Sequence, residues 1–414
     1  MNAKISRRGF LSVSAAVAAS PCLRSWSPAP NDRFITFINL LGGNDGLNTL
    51  VPTRLQAYAR QRPGIAIAPA AGLPLDTGPY ADFDHVLHPA LPTLARLYRE
   101  GQVAFVRMIG YPGANLSHFT SQDVWSRGAI APTEPDSGWI ARYKDLYAPE
   151  TIQVVALGLN QQLDFRGGTT GVTFSLPPPA SRPPYVFTGD ALYPANDRLR
   201  FSIAERIATR LRTEGLPGRA RTSQLAALGQ LQDLRRSSPP ATGPEYPRSN
   251  LGAVLSTSAQ MLRQELPVKI FYAVAGTAQD FDTHYDQGGT EGRHATSLAG
   301  VDEALAAYTA ELQQMGLWNR AVIVLFSEFG RRNAAIGNGT DHGDGGLMVL
   351  LGGAVHGGMF GPGFTEEAVN AFNLPVQVDF RTVYEELLAR HFEVDPLPVF
   401  AEAYARQPPL GVLL

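Results

Sequence analysis

Short apolar runs alternate with amphipathic segments along most of the chain. Runs that are apolar almost throughout, the pattern of parallel strands covered on both faces, fall at residues 33–41, 103–109, 268–274, 321–326 and 347–351. Apolar side chains also recur at alternating spacings of three and four from Leu298 to Met315, which predicts an amphipathic helix with one buried face. Strand, helix and strand repeated in this order predict an α/β sandwich with a largely parallel central sheet.

Further helices and loops follow from the remaining pattern. Helices are predicted at residues 91–98, from Ser117 onward and at residues 380–392, and residues 200–236 are mostly helical in pattern. The Ser117 hydroxyl stands where it would cap the helix that follows it. Residues 160–200 are rich in Gly, Pro and Thr, which predicts loops, and Ser and Pro at residues 237–247 predict a surface linker.

Residues 1–30 have the pattern of an export signal. An arginine pair stands in the motif Ser6-Arg7-Arg8-Gly9-Phe10-Leu11, ahead of an Ala-rich apolar run at residues 13–19 and a Pro- and Ser-rich stretch. This order is typical of a twin-arginine signal. We therefore predict a signal and spacer at residues 1–30 and a single domain at residues 31–414. The twin-arginine translocase is then a partner during export, and the protein is periplasmic or secreted.

Composition argues against a nucleic-acid partner, membrane insertion and an internal disulfide. The formal net charge is -2, with 35 Lys and Arg against 37 Asp and Glu, so we expect no nucleic-acid partner. The apolar run at residues 13–19 is shorter than the roughly 20 residues that span a bilayer, and no later run is long enough, so we expect no stable membrane insertion. The only cysteine is Cys22, which lies in the predicted signal segment and leaves no internal disulfide.

Polar clusters stand at the ends of the predicted strands and at the start of one helix. They are Asn44-Asp45, Asp282-Thr283-His284, the segment from Ser327 to Arg331, the segment from Thr340 to Gly343, and Ser117-His118. In open α/β sheets, ligands bind at the carboxyl ends of the strands. We therefore expect these clusters to converge at one edge of the sheet.

The residue types in these clusters point to metal chemistry. Carboxylates and imidazoles bind divalent ions: mixed sets suit zinc or manganese, and all-oxygen sets suit magnesium or calcium. Two such ions stabilise the attacking and leaving oxygens of an in-line displacement, and a serine at a helix start can serve as nucleophile. The sequence has no Gly-x-Ser-x-Gly motif, no dinucleotide fingerprint and no phosphate-loop lysine motif.

Each cluster taken alone also has a structural interpretation. The segment from Gly42 to Gly46 has the composition of an ordinary turn, and Asp282 and His284 can form a hydrogen-bonded loop pair. Glu328 and Arg331 can form a surface ion pair. Residues 338–346 resemble a single glycine-rich calcium turn. Among the other histidines, we expect structural roles for His85, His356 and His391, while His88 and His294 remain open.

The motifs together resemble one exported bacterial family, domain of unknown function 1501. They are the arginine pair, the run from Leu40 to Pro52, Leu87-His88-Pro89-Ala90-Leu91, Ser117-His118-Phe119 with Gln122-Asp123, Gly138-Trp139, Phe281-Asp282-Thr283-His284, Ser327-Glu328-Phe329-Gly330-Arg331 and Gly339-Thr340-Asp341-His342-Gly343. That family looks like a branch of the alkaline phosphatase and sulfatase superfamily. The resemblance implies an alkaline phosphatase-like α/β/α sandwich that uses two metal ions to hydrolyse phosphate or sulfate esters.

The resemblance also implies a role for each candidate residue. Ser117 matches the nucleophile, and Asn44, His118 and Arg331 are expected near the substrate anion. The expected metal ligands are Asp45, Asp282, His284, Glu328, Asp341 and His342. The chain departs from the superfamily where Glu328-Phe329 replaces an Asp-His pair, which appears later as Asp341-His342, and where Leu41 replaces an arginine common in the family. The sulfatase maturation motif is missing around Ser117.

The sequence therefore leads to two functional hypotheses. The first is an exported hydrolase that depends on a divalent metal (zinc, manganese, magnesium or calcium) and acts on small-molecule or polymer-borne anionic esters, with Ser117 as nucleophile. The second is a non-catalytic periplasmic scaffold or accessory protein that retains the hydrolase fold.

Overall fold

The computed structural model describes residues 32–130, 135–147, 154–157, 164, 166–168, 173–176, 243–266, 268–275, 281–400 and 404–414, with a few single positions between residues 203 and 225. The predicted signal at residues 1–30 lies outside the described residues. So do most of the predicted loops at residues 160–200 and most of the predicted helix at residues 200–236.

The strands match the apolar runs and add short partners to them. In chain order they are β1 (Phe34–Asn39), β2 (Leu50–Pro52), β3 (Leu73–Leu75), β4 (Asp82–Leu87), β5 (Val103–Gly110), β6 (Val154–Leu157), β7 (Thr173–Leu176), β8 (Ile270–Val274), β9 (Ala321–Phe326), β10 (Gly330–Arg331), β11 (His342–Gly343), β12 (Gly346–Leu351), β13 (Gly358–Phe360) and β14 (Val378–Asp379). Beside the central sheet, β2, β4 and β3 form a small antiparallel sheet, and β10 pairs with β11 in a hairpin.

The central sheet has the order β13-β5-β12-β9-β1-β8-β6-β7, and β14 also pairs with β5. Strand β1 runs parallel to β8 and β9, β6 runs parallel to β7 and β8, and β13 and β14 run parallel to β5. Strand β12 is antiparallel to both of its neighbours. Because β12 separates β5 from β9, those two strands point the same way. The prediction of a largely parallel sheet is confirmed.

The helices are α1 (Gly46–Thr49), α2 (Gln56–Gln61), α3 (Pro92–Arg99), α4 (His118–Arg127), α5 (Trp139–Tyr147), α6 (Asn250–Arg263), α7 (Arg293–Gln314), α8 (Glu366–Asn370) and α9 (Phe380–Glu386). Helix α7 is the predicted amphipathic helix, and it begins earlier than the apolar spacing indicated. Helix α9 continues into a π-helical turn, Leu387–His391. Within the described ranges, no helix combines the length and the apolar composition that a bilayer span requires.

Two hydrophobic cores lie on the two faces of the central sheet. Side chains of β1 alternate between them: Phe34 and Ile38 enter one core, and Ile35 and Phe37 the other. The first core contains residues of α3, α6 and α7, and the second contains residues of α4, α5 and α9. A sheet covered by helices on both faces is an α/β/α sandwich, as the sequence predicts.

Candidate metal centre

The polar clusters lie at one edge of the central sheet because of its strand directions. Strands β1, β5, β8 and β9 all point to this edge, so the segments that follow them meet there. The antiparallel strand β12 begins at the same edge, which brings the preceding β10–β11 hairpin to it as well. The site residues come from segments that are far apart in sequence and that meet at this edge.

Three imidazole Nε2 atoms surround the carboxylate of Asp282. The Oδ1 atom of Asp282 lies 3.0 Å from His284 Nε2 and 3.0 Å from His342 Nε2, and these two nitrogens are 3.0 Å apart. The Oδ2 atom of Asp282 lies 3.5 Å from the Nε2 of His118. We call this set, His118, Asp282, His284 and His342, the imidazole cluster.

Each imidazole of the cluster has an acceptor facing its Nδ1 atom. His118 Nδ1 lies 2.7 Å from Glu328 Oε1, and His342 Nδ1 lies 2.8 Å from the carbonyl oxygen of Leu116. His284 Nδ1 lies 3.5 Å from Asp341 Oδ1. A carbonyl oxygen only accepts, so His342 Nδ1 carries a proton and Nε2 is the ring nitrogen that faces Asp282. Metal-binding histidines are oriented in this way, with the second ring nitrogen donating to a carboxylate or carbonyl.

The donor set fits a divalent cation. Ligand atoms bound about 2.0–2.2 Å from one tetrahedral ion lie roughly 3.3–3.6 Å from one another, and the distances between the Asp282 oxygens and the three Nε2 atoms, 3.0–3.5 Å, are close to that spacing. In two groups of three, one potential ligand atom per residue lies within 4.8 Å of the others: His118, Asp282 and His342; and His284, Asp341 and His342. Lone pairs that face a carboxylate oxygen at 3.0 Å repel one another unless a proton or a cation lies between them.

The electrostatics of the cluster favour an ionised Asp282. Burial raises the pKa of Asp282, but hydrogen bonds from Arg331 and His342 outweigh burial and lower this pKa to about 2. The hydrogen bond to Glu328 raises the pKa of His118, whereas burial lowers the pKa of His284. The ring of Phe329 packs against the cluster, with ring centroids 4.9 Å from His118 and 4.4 Å from His342.

His118 and Glu328 occupy positions other than those expected. His118, expected near the substrate, is part of the imidazole cluster itself. Glu328, expected as a metal ligand, is buried behind His118, and both of its oxygens also accept from the Gly42 N–H. Its Oε2 atom additionally accepts from the Ser327 hydroxyl. Glu328 therefore orients His118 and has no oxygen directed at the centre of the cluster.

Arg331, expected near the substrate anion, is buried and makes its contacts inside the protein. Its guanidinium donates to the carbonyl oxygens of Gly43 (2.7 Å), Thr340 (2.9 Å) and Phe281 (2.8 Å) and to Asp282 Oδ1 (2.7 Å). These contacts join the loop after β1 to both loops that carry cluster residues. Arg331 therefore positions the site and presents no free donors to a substrate.

Asp341, expected as a metal ligand, lies at the side of the cluster. Its Oδ2 atom pairs with Arg332 at 2.9 Å, and its Oδ1 atom accepts from the backbone N–H of His342 at 2.9 Å. The same Oδ1 faces His284 Nδ1. Asp341 thus stands behind His284 as Glu328 stands behind His118.

Asp45 and Asn44 belong to a separate buried network. Asp45 caps α1, where its Oδ1 accepts from the N–H groups of Leu47 and Asn48, and its Oδ2 accepts from Arg62 and Gln287. The Oδ1 of Asn44 accepts from the hydroxyl of Thr49 at 3.0 Å and from His294 Nε2 at 3.0 Å. Neither side chain is brought into the imidazole cluster, so the expected metal role of Asp45 and the expected substrate role of Asn44 find no support in their contacts.

Ser117 stands at the N-cap of α4, the position that the sequence predicts. Its side chain is exposed and makes no capping hydrogen bond. Its two neighbours in sequence both contact the cluster: the Leu116 carbonyl accepts from His342, and His118 is a member. Ser117 therefore belongs to the backbone segment that borders the cluster, and its hydroxyl makes no capping hydrogen bond.

Three groups that the sequence pattern does not mark hold the cluster and the neighbouring Asp45 network in place. Arg62 and Gln287 donate the hydrogen bonds that Asp45 Oδ2 accepts, and the Leu116 carbonyl orients His342. No local pattern marks any of them, because each acts on a residue from a distant segment. The open histidines prove to be buried: His294 bonds to Asn44, with burial lowering its pKa to about 3, and His88 Nε2 donates to the Gly289 carbonyl.

Comparison with known proteins agrees with the family resemblance over part of the chain. The model of the family described as protein of unknown function (DUF1501) matches residues 202–393, a span that contains Asp282, His284 and His342. The predicted resemblance is confirmed for this segment. No curated protein matches the chain.

Similar solved structures include hydrolases and a synthase. An alkaline phosphatase from the Antarctic bacterium TAB5 is 9% identical, with 79% of this chain and 94% of that chain covered and a TM-score of 0.34. The PsFucS1 sulfatase from Pseudoalteromonas sp. is 10% identical, with 92% and 72% covered and a TM-score of 0.32. The lipoteichoic acid synthase LtaP from Listeria monocytogenes is 8% identical, with 93% and 76% covered and a TM-score of 0.34.

Proposed function

We propose that this chain is an exported hydrolase that depends on a divalent metal and acts on phosphate or sulfate esters. The observation that carries the proposal is the imidazole cluster, in which three Nε2 atoms meet the carboxylate of Asp282 while an acceptor faces each Nδ1 atom. Such an arrangement brings lone pairs together, and a bound cation or additional protons on the rings would offset their repulsion.

His118, His284, His342 and Asp282 would hold the metal. Three imidazoles with one carboxylate suit zinc or manganese better than magnesium or calcium, which prefer oxygen ligands alone. When bound, the ion supplies a Lewis acid that stabilises the developing negative charge of an ester under attack. Glu328 and Asp341 hold the rings of His118 and His284 in the orientation that keeps each Nε2 atom directed at the Asp282 carboxylate.

Ser117 is the proposed nucleophile. Its exposed hydroxyl is not used for capping, and it borders the cluster through Leu116 and His118. The first N–H groups of α4 are directed toward the N-terminal end of the helix, where the helix dipole favours a negatively charged ester group. The serine hydroxyl and the binding elements for the anion thus belong to one short segment.

Export by the twin-arginine route is also proposed, from the motif at residues 6–11. The sole cysteine, Cys22, leaves the folded domain with no disulfide to form outside the cytoplasm. A chain with Arg7→Lys and Arg8→Lys should accumulate in the cytoplasm, while the wild-type chain is exported. Equal export of the two chains would contradict this route.

The test of the catalytic proposal uses protein purified without chelator. Metal content is measured, and hydrolysis is assayed on aryl phosphate, phosphodiester and aryl sulfate esters. Ser117→Ala should lower kcat by about 10³-fold or more, as for other catalytic nucleophiles, with metal content unchanged. Ser249→Ala is the matched control, because Ser249 caps α6 by accepting from Gly252 N–H and makes no contact with the cluster. Absence of bound metal together with no hydrolysis of any ester would refute the proposal.

The second candidate function, a non-catalytic scaffold that retains the fold, has one observation in its favour. The polar atoms of the buried Asp45 and Arg331 make hydrogen bonds within the protein, which is expected of a site maintained for its structure. The same Ser117→Ala variant separates the two candidates. A scaffold keeps its biological effect when Ser117 is changed, whereas an enzyme loses turnover.

A further inference from the structure

Asp45 stands at the carboxyl end of β1, where the sequence resemblance predicts a carboxylate ligand for a metal. In the folded chain this carboxylate is inaccessible to a metal ion from solvent. It is buried, and both oxygens are occupied: Oδ1 accepts two backbone N–H bonds from α1, and Oδ2 accepts from the side chains of Arg62 and Gln287. An ionised carboxylate offers about four lone-pair sites, so these four donors exhaust it.

The cation that balances this buried carboxylate is Arg62. Its side chain is fully buried, and its guanidinium also donates to the carbonyl oxygens of Asn333 at 2.9 Å and Arg332 at 3.0 Å and to Asn48 Oδ1 at 3.0 Å. A buried carboxylate without a partner is strongly disfavoured, and a guanidinium stays protonated at any relevant pH. Arg62 is therefore a permanent positive charge built into the position where a metal ion is expected.

A metal ion has no room at Asp45 unless this network is broken. An ion that binds there has to displace Arg62 or Gln287 from Oδ2, or the N–H groups of α1 from Oδ1. Displacing Gln287 also releases the hydroxyls of Thr283 and Thr340, which donate to its Oε1 atom at 3.1 and 2.6 Å. Glu328, the other buried carboxylate among the expected metal ligands, accepts from Gly42, Ser327 and His118. Of the site carboxylates in the described ranges, Asp282 is the one that meets the imidazole Nε2 atoms.

We propose that the chain binds one divalent ion rather than two: the ion lies in the imidazole cluster, and the Arg62 guanidinium takes the place of a second ion at Asp45. This inference rests on the proposed metal-dependent function and narrows it to a mononuclear centre. The second positive charge of the site is then supplied by the protein and remains when the metal is removed.

Metal stoichiometry tests the proposal directly. The purified full-length chain is saturated with Zn²⁺, exchanged into buffer with a weak chelating competitor, and analysed by native mass spectrometry and elemental analysis. We expect one zinc per chain. Two tightly bound ions per chain would overturn the mononuclear inference while leaving metal dependence intact, whereas no bound ion would overturn both proposals.

A pair of isosteric variants locates the ion. Asp282→Asn should weaken Zn²⁺ binding by about 10-fold or more, the size of effect expected at a metal site, while Asp45→Asn should keep one zinc per chain. Because Asp45→Asn leaves Arg62 without its counter-charge, the double variant Asp45→Asn, Arg62→Met is measured beside it, with folding followed by circular dichroism. Loss of zinc from a folded double variant, or retention of full affinity by Asp282→Asn, would contradict the assignment.

Discussion

At the scale of single residues, the site depends on how side chains are oriented as much as on which are present. His118 and His342 owe their ring orientation to Glu328 and to the Leu116 carbonyl, at 2.7 and 2.8 Å from Nδ1. A neutral imidazole has two tautomers and can rotate about its side-chain bonds. An acceptor fixed behind Nδ1 selects the tautomer whose Nε2 lone pair is available to a metal.

Glu328→Gln tests this role. The amide can donate to Nδ1 as well as accept from it, so the variant no longer enforces one tautomer of His118. We expect the Kd for Zn²⁺, measured by competition with a chromogenic chelator, to rise by about 10–100-fold. The matched control is Glu386→Gln, a buried glutamate that accepts from the N–H groups of Leu410, Gly411 and Leu413 and has no contact with the cluster. Equal Zn²⁺ affinities for the two variants would argue against an orienting role.

The sequence could predict some of these residues and not others. The position of Asp282 and His284 after β8 follows from the rule that ligands gather at the carboxyl ends of parallel strands, whereas His342 precedes the antiparallel strand β12. The part played by Asp45 could not be predicted, because it depends on Arg62 and Gln287, which reach it from unrelated segments. The same holds for Arg331, whose burial is decided by three carbonyl groups of distant loops.

At the scale of elements, three of the four cluster residues lie on two segments that are joined along their backbones, and His118 lies at the start of α4. The loop that carries Asp282 and His284 contacts the segment before β11, where the Thr340 N–H donates to the Thr283 carbonyl at 3.1 Å. Gly339 makes this approach possible. A Cβ atom added there would lie 2.3 Å from the His284 carbonyl oxygen and 2.5 Å from the Thr283 carbonyl oxygen, closer than the two backbones allow.

Gly339→Ala should therefore separate the two loops. We expect a lower Tm and faster backbone hydrogen exchange at residues 281–288 and 338–343, together with weaker Zn²⁺ binding, because His284 and His342 belong to different loops. Gly300→Ala is the control, since a Cβ atom at Gly300 in α7 meets nothing within 4 Å and alanine favours a helix by up to about 1 kcal/mol. Unchanged exchange in both loops of Gly339→Ala would contradict the close approach.

The order of β1, β5, β8, β9 and β12 was predictable because each is a mostly apolar run, whereas the apolar pattern did not mark the other nine strands within the described residues. The direction of β12 was not predictable, since an apolar run of six residues is the same in a parallel and an antiparallel strand. That direction matters for the site, because it brings the β10–β11 hairpin, and with it His342, to the edge where β1, β8 and β9 end. The hairpin lies at the predicted edge because β12, which follows it, is antiparallel to its neighbours, and this direction is known only from the sheet topology.

At the scale of the whole molecule, stability should depend on pH through buried neutral histidines. His391 is buried, with its Nε2 directed at the Phe34 carbonyl at 3.0 Å, and burial lowers its pKa from 6.5 to about 4. Below about pH 6.5 the unfolded chain binds this proton and the folded chain does not. The contribution of His391 to the free energy of unfolding is therefore at its full value above pH 6.5. It declines as the pH falls toward 4, by about 3 kcal/mol in total.

Urea unfolding at pH 7 and pH 4.5 measures this effect. The wild-type chain should lose more free energy of unfolding between the two pH values than His391→Gln, which has no proton to bind at this position. His391 lies at the end of the π-helical turn and bonds to the start of β1, far from the edge where the cluster lies. Parallel losses in the two proteins would show that the burial of His391 does not set this pH dependence.

The imidazole cluster is proposed to hold a divalent metal ion. Crystals of the protein soaked in Zn²⁺, with anomalous diffraction recorded on both sides of the zinc edge, test it most directly. We expect one anomalous peak within about 2.0–2.2 Å of ligand atoms from His118, His284, His342 and Asp282, with no peak at Asp45. A peak bound to Asp45, or an empty cluster in a crystal that binds zinc elsewhere, would contradict it.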